Sequence, residues 1–169
     1  PAPQTSPQPH LAAPALGGSP ALNQVIIGLG ASTGGTEATL EVMKRLPEDI
    51  PGMVIVQHMP PGFTKMYADR LNRLCRMEVR EAINGDEIRR GLALIAPADR
   101  QARVMRQGTR YTLSCRPGEK VSGHRPSVDA LFQSMSETVA CNMVGIIMTG
   151  MGRDGADGLL AMRKRGAYT

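Results

Sequence analysis

The chain is poor in several features that would define its class at once. It has no tryptophan, two phenylalanines and three tyrosines, so aromatic residues make up only 3% of its 169 residues. Proteins that bind single-stranded nucleic acid stack bases on aromatic side chains, so nucleic-acid binding is not expected. No apolar run approaches the roughly 20 residues that span a bilayer. The first residues lack a basic segment followed by an apolar stretch. The sequence therefore predicts neither membrane insertion nor a signal peptide.

Cysteine is also scarce. Cys75, Cys115 and Cys141 lie far apart and form no CxxC pair. An odd count at these spacings argues against a disulfide framework or a zinc site, and it fits a reducing, cytoplasmic environment. The net charge of +5 is modest and the basic residues are scattered. That distribution favours an ordinary solvated surface over a patch for an acidic partner.

Charged residues are missing from the first 22 residues, which hold six of the 13 prolines. A segment of this composition cannot bury a core, so residues 1–22 are predicted to be a semi-rigid Pro/Ala-rich linker. Residues 23–169 are predicted to form one domain. Because the chain begins with Pro1 rather than methionine, we expect another domain to precede the linker in a longer protein.

The rest of the sequence alternates short apolar runs with helical patterns. Continuous apolar runs are typical of strands buried on both faces, and apolar residues at helical spacing follow several of them. The predicted strands are 25–29, 53–57, 77–81, 92–96 and 143–148, and the predicted helices are 36–46, 63–74, 128–139 and 155–165. Two further strands around a turn at 107–109 predict an antiparallel hairpin. The expected fold is α/β, with a doubly wound, mainly parallel sheet of the three-layer Rossmann type and an added antiparallel hairpin.

Three reactive side chains, Ser32, His58 and Asp154, each follow the carboxyl end of a predicted strand. Ligands of open α/β sheets bind outside the carboxyl ends of the strands, so we expect these residues to share one edge. Serine, histidine and aspartate are the nucleophile, base and orienting carboxylate of many hydrolases. Their chain order here differs from the Ser, Asp, His order of α/β-hydrolases. A triad in this chain therefore belongs outside that superfamily.

The serine lies in a loop that has three interpretations. Residues 30–34, Gly-Ala-Ser-Thr-Gly, match G-x-S-x-G between a strand and a helix, the context of a nucleophile. The backbone N–H groups of Thr33, Gly34 and Gly35 are then candidates for binding an oxyanion. The loop also resembles a phosphate-binding turn, although its glycines are spaced wider than the dinucleotide fingerprint and no acidic residue ends the second strand. A plain tight turn is the third possibility.

The histidine and the aspartate have structural interpretations as well. His58 is either a hydrogen-bonded residue at a strand end or the base, and His124, in a loop before a helix, is the reserve base. Asp154 either caps the helix that begins at Gly155, as Asp157 also could, or orients His58. Metal ligation is not expected, because no second histidine or carboxylate lies at ligand spacing near His58.

Four segments together resemble the catalytic domain of CheB, the family of chemotaxis protein-glutamate methylesterases. They are residues 27–40, VIVQHMPPGFT at 54–64, GHRPSVDALF at 123–132 and GIIMTGMGRDGADGL at 145–159. Four motifs in the family's order over most of the chain are far more specific than any one of them. The family continues beyond Gly166-Ala167, whereas this chain ends at Thr169. We therefore expect a catalytic domain that is incomplete at its carboxyl terminus.

The resemblance implies a reaction and a role for each residue of the site. Ser32 is the nucleophile, His58 the general base and Asp154 the residue that orients it. Thr33 and Met151 lie beside the site, with the Met151 N–H among the oxyanion donors. The implied reaction is demethylation of γ-glutamyl methyl esters on the cytoplasmic helices of chemoreceptors, and in some members deamidation of receptor glutamines. It needs no cofactor and no metal. A substrate of this size favours a shallow groove over a deep pocket.

The resemblance also implies partners, namely the methyl-accepting receptors and an N-terminal receiver domain that a histidine kinase phosphorylates. Two other classes of function remain open. One is a non-catalytic regulatory domain of the same fold that binds a receptor or a kinase. The other is a nucleotide-binding oxidoreductase that uses the glycine loop. The first predicts no ester turnover, and the second predicts that a nucleotide cofactor binds.

Overall fold

This computed structural model describes residues 25–169, which form eight strands and four helices. In chain order they are β1 (Val25–Ala31), α1 (Gly35–Met43), β2 (Gly52–Gln57), α2 (Phe63–Leu74), β3 (Glu78–Glu81), β4 (Asp86–Glu87), β5 (Leu92–Ile95), β6 (Gln101–Gln107), β7 (Arg110–Arg116), α3 (Val128–Thr138), β8 (Asn142–Ile147) and α4 (Ala156–Lys164). The predicted linker over 1–22 lies outside the described residues. Within 25–169, no helix has both the length and the hydrophobicity needed to cross a bilayer.

Five parallel strands form the main sheet, in the order β3-β5-β2-β1-β8. Strand β1 lies between β2 and β8. The chain therefore proceeds to one side of β1 through α1 and later returns to its other side with β8. A crevice opens at the carboxyl ends of the strands where the winding changes direction in this way, and it is the usual ligand site of such sheets. The predicted doubly wound, mainly parallel α/β sheet is confirmed.

Helices cover both faces of this sheet. Successive side chains of a strand point to opposite faces, and in β2 Val54 and Val56 pack in one apolar cluster while Met53 and Ile55 pack in another. The first cluster includes Leu131, Phe132 and Met135 of α3 and Met162 of α4, and the second includes Leu40 and Met43 of α1 and Leu71 of α2. The domain therefore has the three layers that the sequence predicted.

The predicted hairpin belongs to a larger antiparallel sheet. Strands β6 and β7 pair from Gln101 opposite Arg116 to Gln107 opposite Arg110. Strand β4 adds a third strand beside β7. A strand of two residues leaves no periodicity in the sequence, so β4 escaped prediction. The Ser134 hydroxyl accepts a hydrogen bond of 2.8 Å from the Val104 N–H, which joins α3 to β6.

Candidate active site

Ser32 and His58 leave neighbouring strands side by side. Ala31 at the end of β1 is in register with Gln57 at the end of β2, so the two residues that follow emerge next to each other. The His58 N–H donates to the Ala31 carbonyl at 3.0 Å, and the Ser32 N–H donates to the Thr149 carbonyl at 3.0 Å. The second bond ties the serine to the loop after β8. Backbone hydrogen bonds to β1 and to the loop after β8 thus hold His58 and Ser32 next to each other at the end of the sheet.

Asp154 reaches the same edge from the loop before α4 and binds the His58 ring. His58 Nε2 lies 2.7 Å from Asp154 Oδ2. Their side chains are 13% and 1% exposed. An ionised carboxylate can only accept a hydrogen bond, so this contact assigns the ring proton to Nε2. Nδ1 is then the basic nitrogen. It is buried and has no hydrogen-bond partner within residues 25–169.

The carboxylate of Asp154 is saturated by donors. Its Oδ1 accepts from the Ser127 hydroxyl at 2.7 Å and from the Asp129 N–H at 2.9 Å, and its Oδ2 accepts from the Val128 N–H at 2.8 Å as well as from His58. Burial by itself raises the pKa of Asp154, but the hydrogen bonds from His58, Ser127 and the two N–H groups outweigh burial and hold that pKa below its ordinary value. Asp154 is therefore ionised at neutral pH. Its charge lies at the amino end of α3, where the helix dipole favours it.

Asp154 does not cap the helix that follows it. Helix α4 begins after Gly155, and the side chain that binds an N–H of its first turn is that of Asp129, which accepts from Gly158 at 2.7 Å, so that interpretation was wrong. Asp157, the other candidate, accepts a hydrogen bond of 3.0 Å from Arg153. Asp154 instead satisfies the first turn of α3, which starts 26 residues earlier in the chain. No periodic pattern signals a contact over that separation.

A small cavity joins the candidate nucleophile to the candidate base. Ser32, His58, Thr149, Gly150 and Met151 are among the residues that line its volume of about 70 Å³. The described part of the chain has no hydrogen bond between the Ser32 hydroxyl and His58. Such bonds are often loose without substrate and tighten when it binds. Sites for drug-sized ligands occupy roughly 300–1,000 Å³. The cavity therefore suits the end of one side chain better than a dinucleotide.

The predicted oxyanion donors of the serine loop are only partly available. The Gly35 N–H donates to the Ser32 carbonyl at 2.8 Å, so including Gly35 was wrong. The N–H groups of Thr33 and Gly34 have no hydrogen-bond acceptor among residues 25–169. Gly34 has a φ of 76°, a left-handed conformation that turns the chain sharply from Ser32 into α1. Two donors beside the serine thus remain free.

The loop after β8 forms the opposite wall of the cavity. Met151 is 77% exposed, and its N–H has no acceptor in the described range. A Cβ on Gly150 would lie 2.7 Å from the Cβ of Ser32, so any side chain at this position would displace the serine. The absence of a Cβ lets this loop approach the serine closely, and its free N–H group lies beside the same cavity.

Gln57, which sequence reasoning missed, joins the serine to the histidine. Its buried amide donates from Nε2 to the carbonyl of Ser32 at 2.8 Å and to the carbonyl of His58 at 3.2 Å. In the sequence it is simply the last residue of a buried strand. A polar residue ending an otherwise apolar run was the one visible sign of this contact.

Replacing Gln57 with methionine is expected to lower catalytic turnover by on the order of 10²-fold, because a small displacement of reacting groups has an effect of that size. Methionine has a similar volume but donates no hydrogen bond to either carbonyl. The measurement is kcat for the ester hydrolysis that the family resemblance implies, with Gln107→Met on the exposed end of β6 as the control. Wild-type turnover in the Gln57 variant would show that the amide does not position the site.

A second histidine lies against the first. The rings of His58 and His124 are stacked with centroids 3.8 Å apart and an angle of 2° between their planes. One ligand atom each from His58, His124 and Asp154 lie within 4.8 Å of one another. The sequence predicted no metal because no second ligand was visible near His58, but two possible ligands do lie beside it in space. The geometry gives a different argument against metal binding. Parallel rings direct their in-plane lone pairs side by side rather than at one point, and both Asp154 oxygens already accept hydrogen bonds.

Fold and site together define a class of protein: an α/β domain with a serine, a histidine and a buried aspartate at the carboxyl edge of its parallel sheet. This is the arrangement of a serine hydrolase on a doubly wound sheet. The chain belongs to the CheB methylesterase family, whose model matches residues 27–169.

Named relatives and a solved structure are similar over most of the chain. It is 55% identical over 144 residues to protein-glutamate methylesterase/protein-glutamine glutaminase 2 of Syntrophomonas wolfei, covering 85% of this chain and 42% of that protein. It is 50% identical over 147 residues to protein-glutamate methylesterase/protein-glutamine glutaminase of Escherichia coli K12, covering 87% and 42%. The crystal structure of the Thermotoga maritima CheB methylesterase catalytic domain matches with a TM-score of 0.81 and 34% identity, covering 84% of this chain and 76% of that one. The chain thus spans about two fifths of the length of these curated relatives.

Proposed function

We propose that the chain is the catalytic part of a protein-glutamate methylesterase, with Ser32 as nucleophile, His58 as general base and Asp154 as the carboxylate that orients the base. The observation that carries this proposal is the 2.7 Å bond from His58 Nε2 to a buried carboxylate, which leaves a bare Nδ1 at the cavity of Ser32. The names of the relatives supply the substrate class.

The proposed reaction begins with attack of Ser32 Oγ on the ester carbonyl carbon while His58 Nδ1 takes the hydroxyl proton. The carbonyl oxygen becomes an oxyanion, for which the proposed donors are the N–H groups of Thr33 and Gly34 next to Ser32 and of Met151 at the cavity. The imidazolium then gives its proton to the methoxy oxygen. The carbon–oxygen bond to that group breaks, methanol leaves, and a glutamyl ester on Ser32 remains.

The second half of the reaction repeats these steps with water. His58 Nδ1 takes a proton from water as the water oxygen attacks the acyl-enzyme, and the proton returns to Ser32 Oγ when that bond breaks. The products are a glutamate side chain and free serine. A glutamine substrate follows the same course with ammonia as the leaving group, which accounts for the second activity in the relatives' names. Asp154 stabilises the imidazolium in both halves without taking a proton itself.

The substrate and partners that we propose follow from the family. The substrate is a methylated glutamate on a cytoplasmic helix of a chemoreceptor, so the reaction is placed in the cytoplasm. A cavity of about 70 Å³ beside the exposed Met151 suits one ester side chain presented on a protein surface. In the full-length protein we propose a preceding receiver domain that a histidine kinase phosphorylates. The matched relatives are more than twice as long as the matching region, which leaves room for such a domain in them.

The other two classes have less support. A nucleotide-binding oxidoreductase needs a larger cavity and an acidic residue at the end of β2, where the chain has Gln57 and His58. A non-catalytic regulatory domain does not require a buried carboxylate bonded to a histidine beside a serine.

The direct test incubates the chain with a chemoreceptor cytoplasmic fragment that carries radiolabelled methyl esters. The expected result is release of labelled methanol together with the appearance of glutamate at the same positions in the receptor. Mass spectrometry of the unmethylated fragment detects conversion of glutamine to glutamate in the same experiment. Release no faster than from the receptor alone would contradict the proposed function and favour a regulatory role.

A further inference from the structure

We propose that His124 is a positioning residue: its ring forms the platform that holds the plane of His58 during the reaction. This inference rests on the proposed function. The two ring centroids are 3.8 Å apart and the ring planes are within 2° of parallel, so the faces of the rings are stacked.

The platform is anchored independently of the His124 side chain. Val121 and His124 exchange backbone hydrogen bonds of 3.0 and 2.9 Å, and the Gln101 amide donates to the His124 carbonyl at 3.0 Å. The Ser122 hydroxyl donates to Asp129 Oδ2 at 2.6 Å, which ties the same loop to α3. Replacing the His124 side chain therefore leaves the loop with its own supports.

The orientation of the His124 ring is set by one further bond. Its Nδ1 lies 2.9 Å from the Ser122 carbonyl, which can only accept, so Nδ1 carries a proton and donates. This bond fixes the edge of the ring and leaves its face to His58. His124 is not among the residues that line the Ser32 cavity. This position does not support the role of reserve base that the sequence analysis considered for His124.

Stacking supplies a constraint that Asp154 cannot. The hydrogen bond at Nε2 lies in the plane of the His58 ring and fixes one atom, but it lets the ring tilt about that point. A flat surface against the ring face removes the tilt. The two contacts together fix the direction of Nδ1, the atom that takes the proton from Ser32 in the proposed reaction.

The same contact acts on charge. When His58 takes the proton in the proposed reaction it becomes an imidazolium whose face lies on the His124 ring, and a cation is attracted to an aromatic face. The His124 ring therefore stabilises the intermediate with a protonated His58, in addition to holding the orientation of the His58 ring.

The test compares three variants that separate the ring from the hydrogen bond. His124→Phe keeps a flat ring without the donor, His124→Gln keeps a donor without the ring, and His124→Ala has neither. We expect Ala and Gln to lower kcat by roughly 3- to 30-fold with KM unchanged, and Phe to retain most of the wild-type kcat. Nitrogen NMR of the His58 ring should show the same Nε2-protonated tautomer in every variant, because the bond to Asp154 is kept. The Nδ1 signal should be sharp in the wild type and in Phe, and broadened by ring motion in Ala and Gln.

Several results would overturn the proposal. They are a Phe variant as slow as Ala, a Gln variant as fast as the wild type, a change in KM alone, or a His58 spectrum that is the same in all variants. Thermal unfolding of each variant checks that the fold is kept. If the wild-type chain releases no methanol, the proposed function fails, while the His58 spectra still decide whether His124 positions the ring.

Discussion

Replacing Ser32 with alanine is expected to lower ester turnover by on the order of 10⁶-fold, the size of effect seen when the nucleophile of a comparable triad is removed. The proposed reaction has no other atom at the position of Oγ to form the acyl-enzyme. Turnover is measured as methanol released from methylated receptor under single-turnover conditions. The variant is still expected to hydrolyse the ester about 10³- to 10⁴-fold faster than water alone does, because the oxyanion donors and substrate binding remain.

The fold is expected to survive this change. The contacts that hold residue 32 are made by its backbone: the N–H donates to Thr149, and the carbonyl accepts from Gln57 and from Gly35. The stability of the variant should therefore stay within about 0.5 kcal/mol of wild type. Ser114→Ala, on strand β7 of the antiparallel sheet, is the matched control and should keep full turnover. An active, folded Ser32→Ala variant would remove Ser32 from the mechanism.

Replacing Asp154 with asparagine is expected to lower kcat by on the order of 10⁴-fold, as loss of the orienting carboxylate does in comparable triads. If the amide NH₂ faces His58, it must donate to Nε2, which moves the ring proton to Nδ1. The nitrogen that should take the serine proton is then already protonated. If the amide is flipped, its NH₂ faces the donors of Ser127 and Asp129 instead. Either orientation leaves buried donors without an acceptor, so a stability loss of about 1–3 kcal/mol is also expected.

The pH dependence of stability provides a second measurement on the same variant. Since the pKa of Asp154 is lowered by folding, the ionised carboxylate stabilises the native state. That contribution is fully present above the unfolded-state pKa and is lost as the pH falls through the lower folded-state pKa. Urea unfolding from neutral pH down to about pH 3 should show this loss in the wild type and a shallower one in Asp154→Asn.

A substitution at an exposed carboxylate distinguishes the effect of losing the buried charge of Asp154 from the effect of losing any surface charge. Asp157→Asn removes an exposed partner of Arg153 one helical turn away, and should change stability by no more than about 0.5 kcal/mol and leave turnover intact. Equal pH dependence in the wild type and Asp154→Asn would contradict the buried, ionised state of Asp154.

The sequence predicted the sheet and its edge because both follow from local patterns. Buried strands such as β2 are continuous apolar runs, and the residue after each run is read directly from the chain. Parallel winding then brings Ser32 and His58 together without further information. The resemblance of four segments identified the CheB methylesterase family, and the match of the family model to residues 27–169 confirms it.

The contacts that tune the site were not predictable in the same way. Asp154 finds its donors on α3, and His58 finds its stacking partner in the loop before that helix, each at a separation set by tertiary packing. Because Asp154 directly precedes α4 in the sequence, a cap of that helix was one of its two interpretations. Gly35 was assigned a free N–H because a helix start usually has one, but a tight turn back to Ser32 uses it.

The pairing of β1 with β2 has a consequence for which imidazole nitrogen does the chemistry. Adjacent strands run only about 4.8 Å apart, so a histidine that ends one strand meets a serine that ends the next at very short range. Nδ1 is bonded to the ring carbon nearest the backbone, whereas Nε2 lies at the far end of the ring. A base at such close quarters uses the near atom and turns the far atom toward its carboxylate, the reverse of the order in chymotrypsin-type triads. In the proposed reaction, the interstrand distance, a property of every β-sheet, thus selects the nitrogen that accepts the proton.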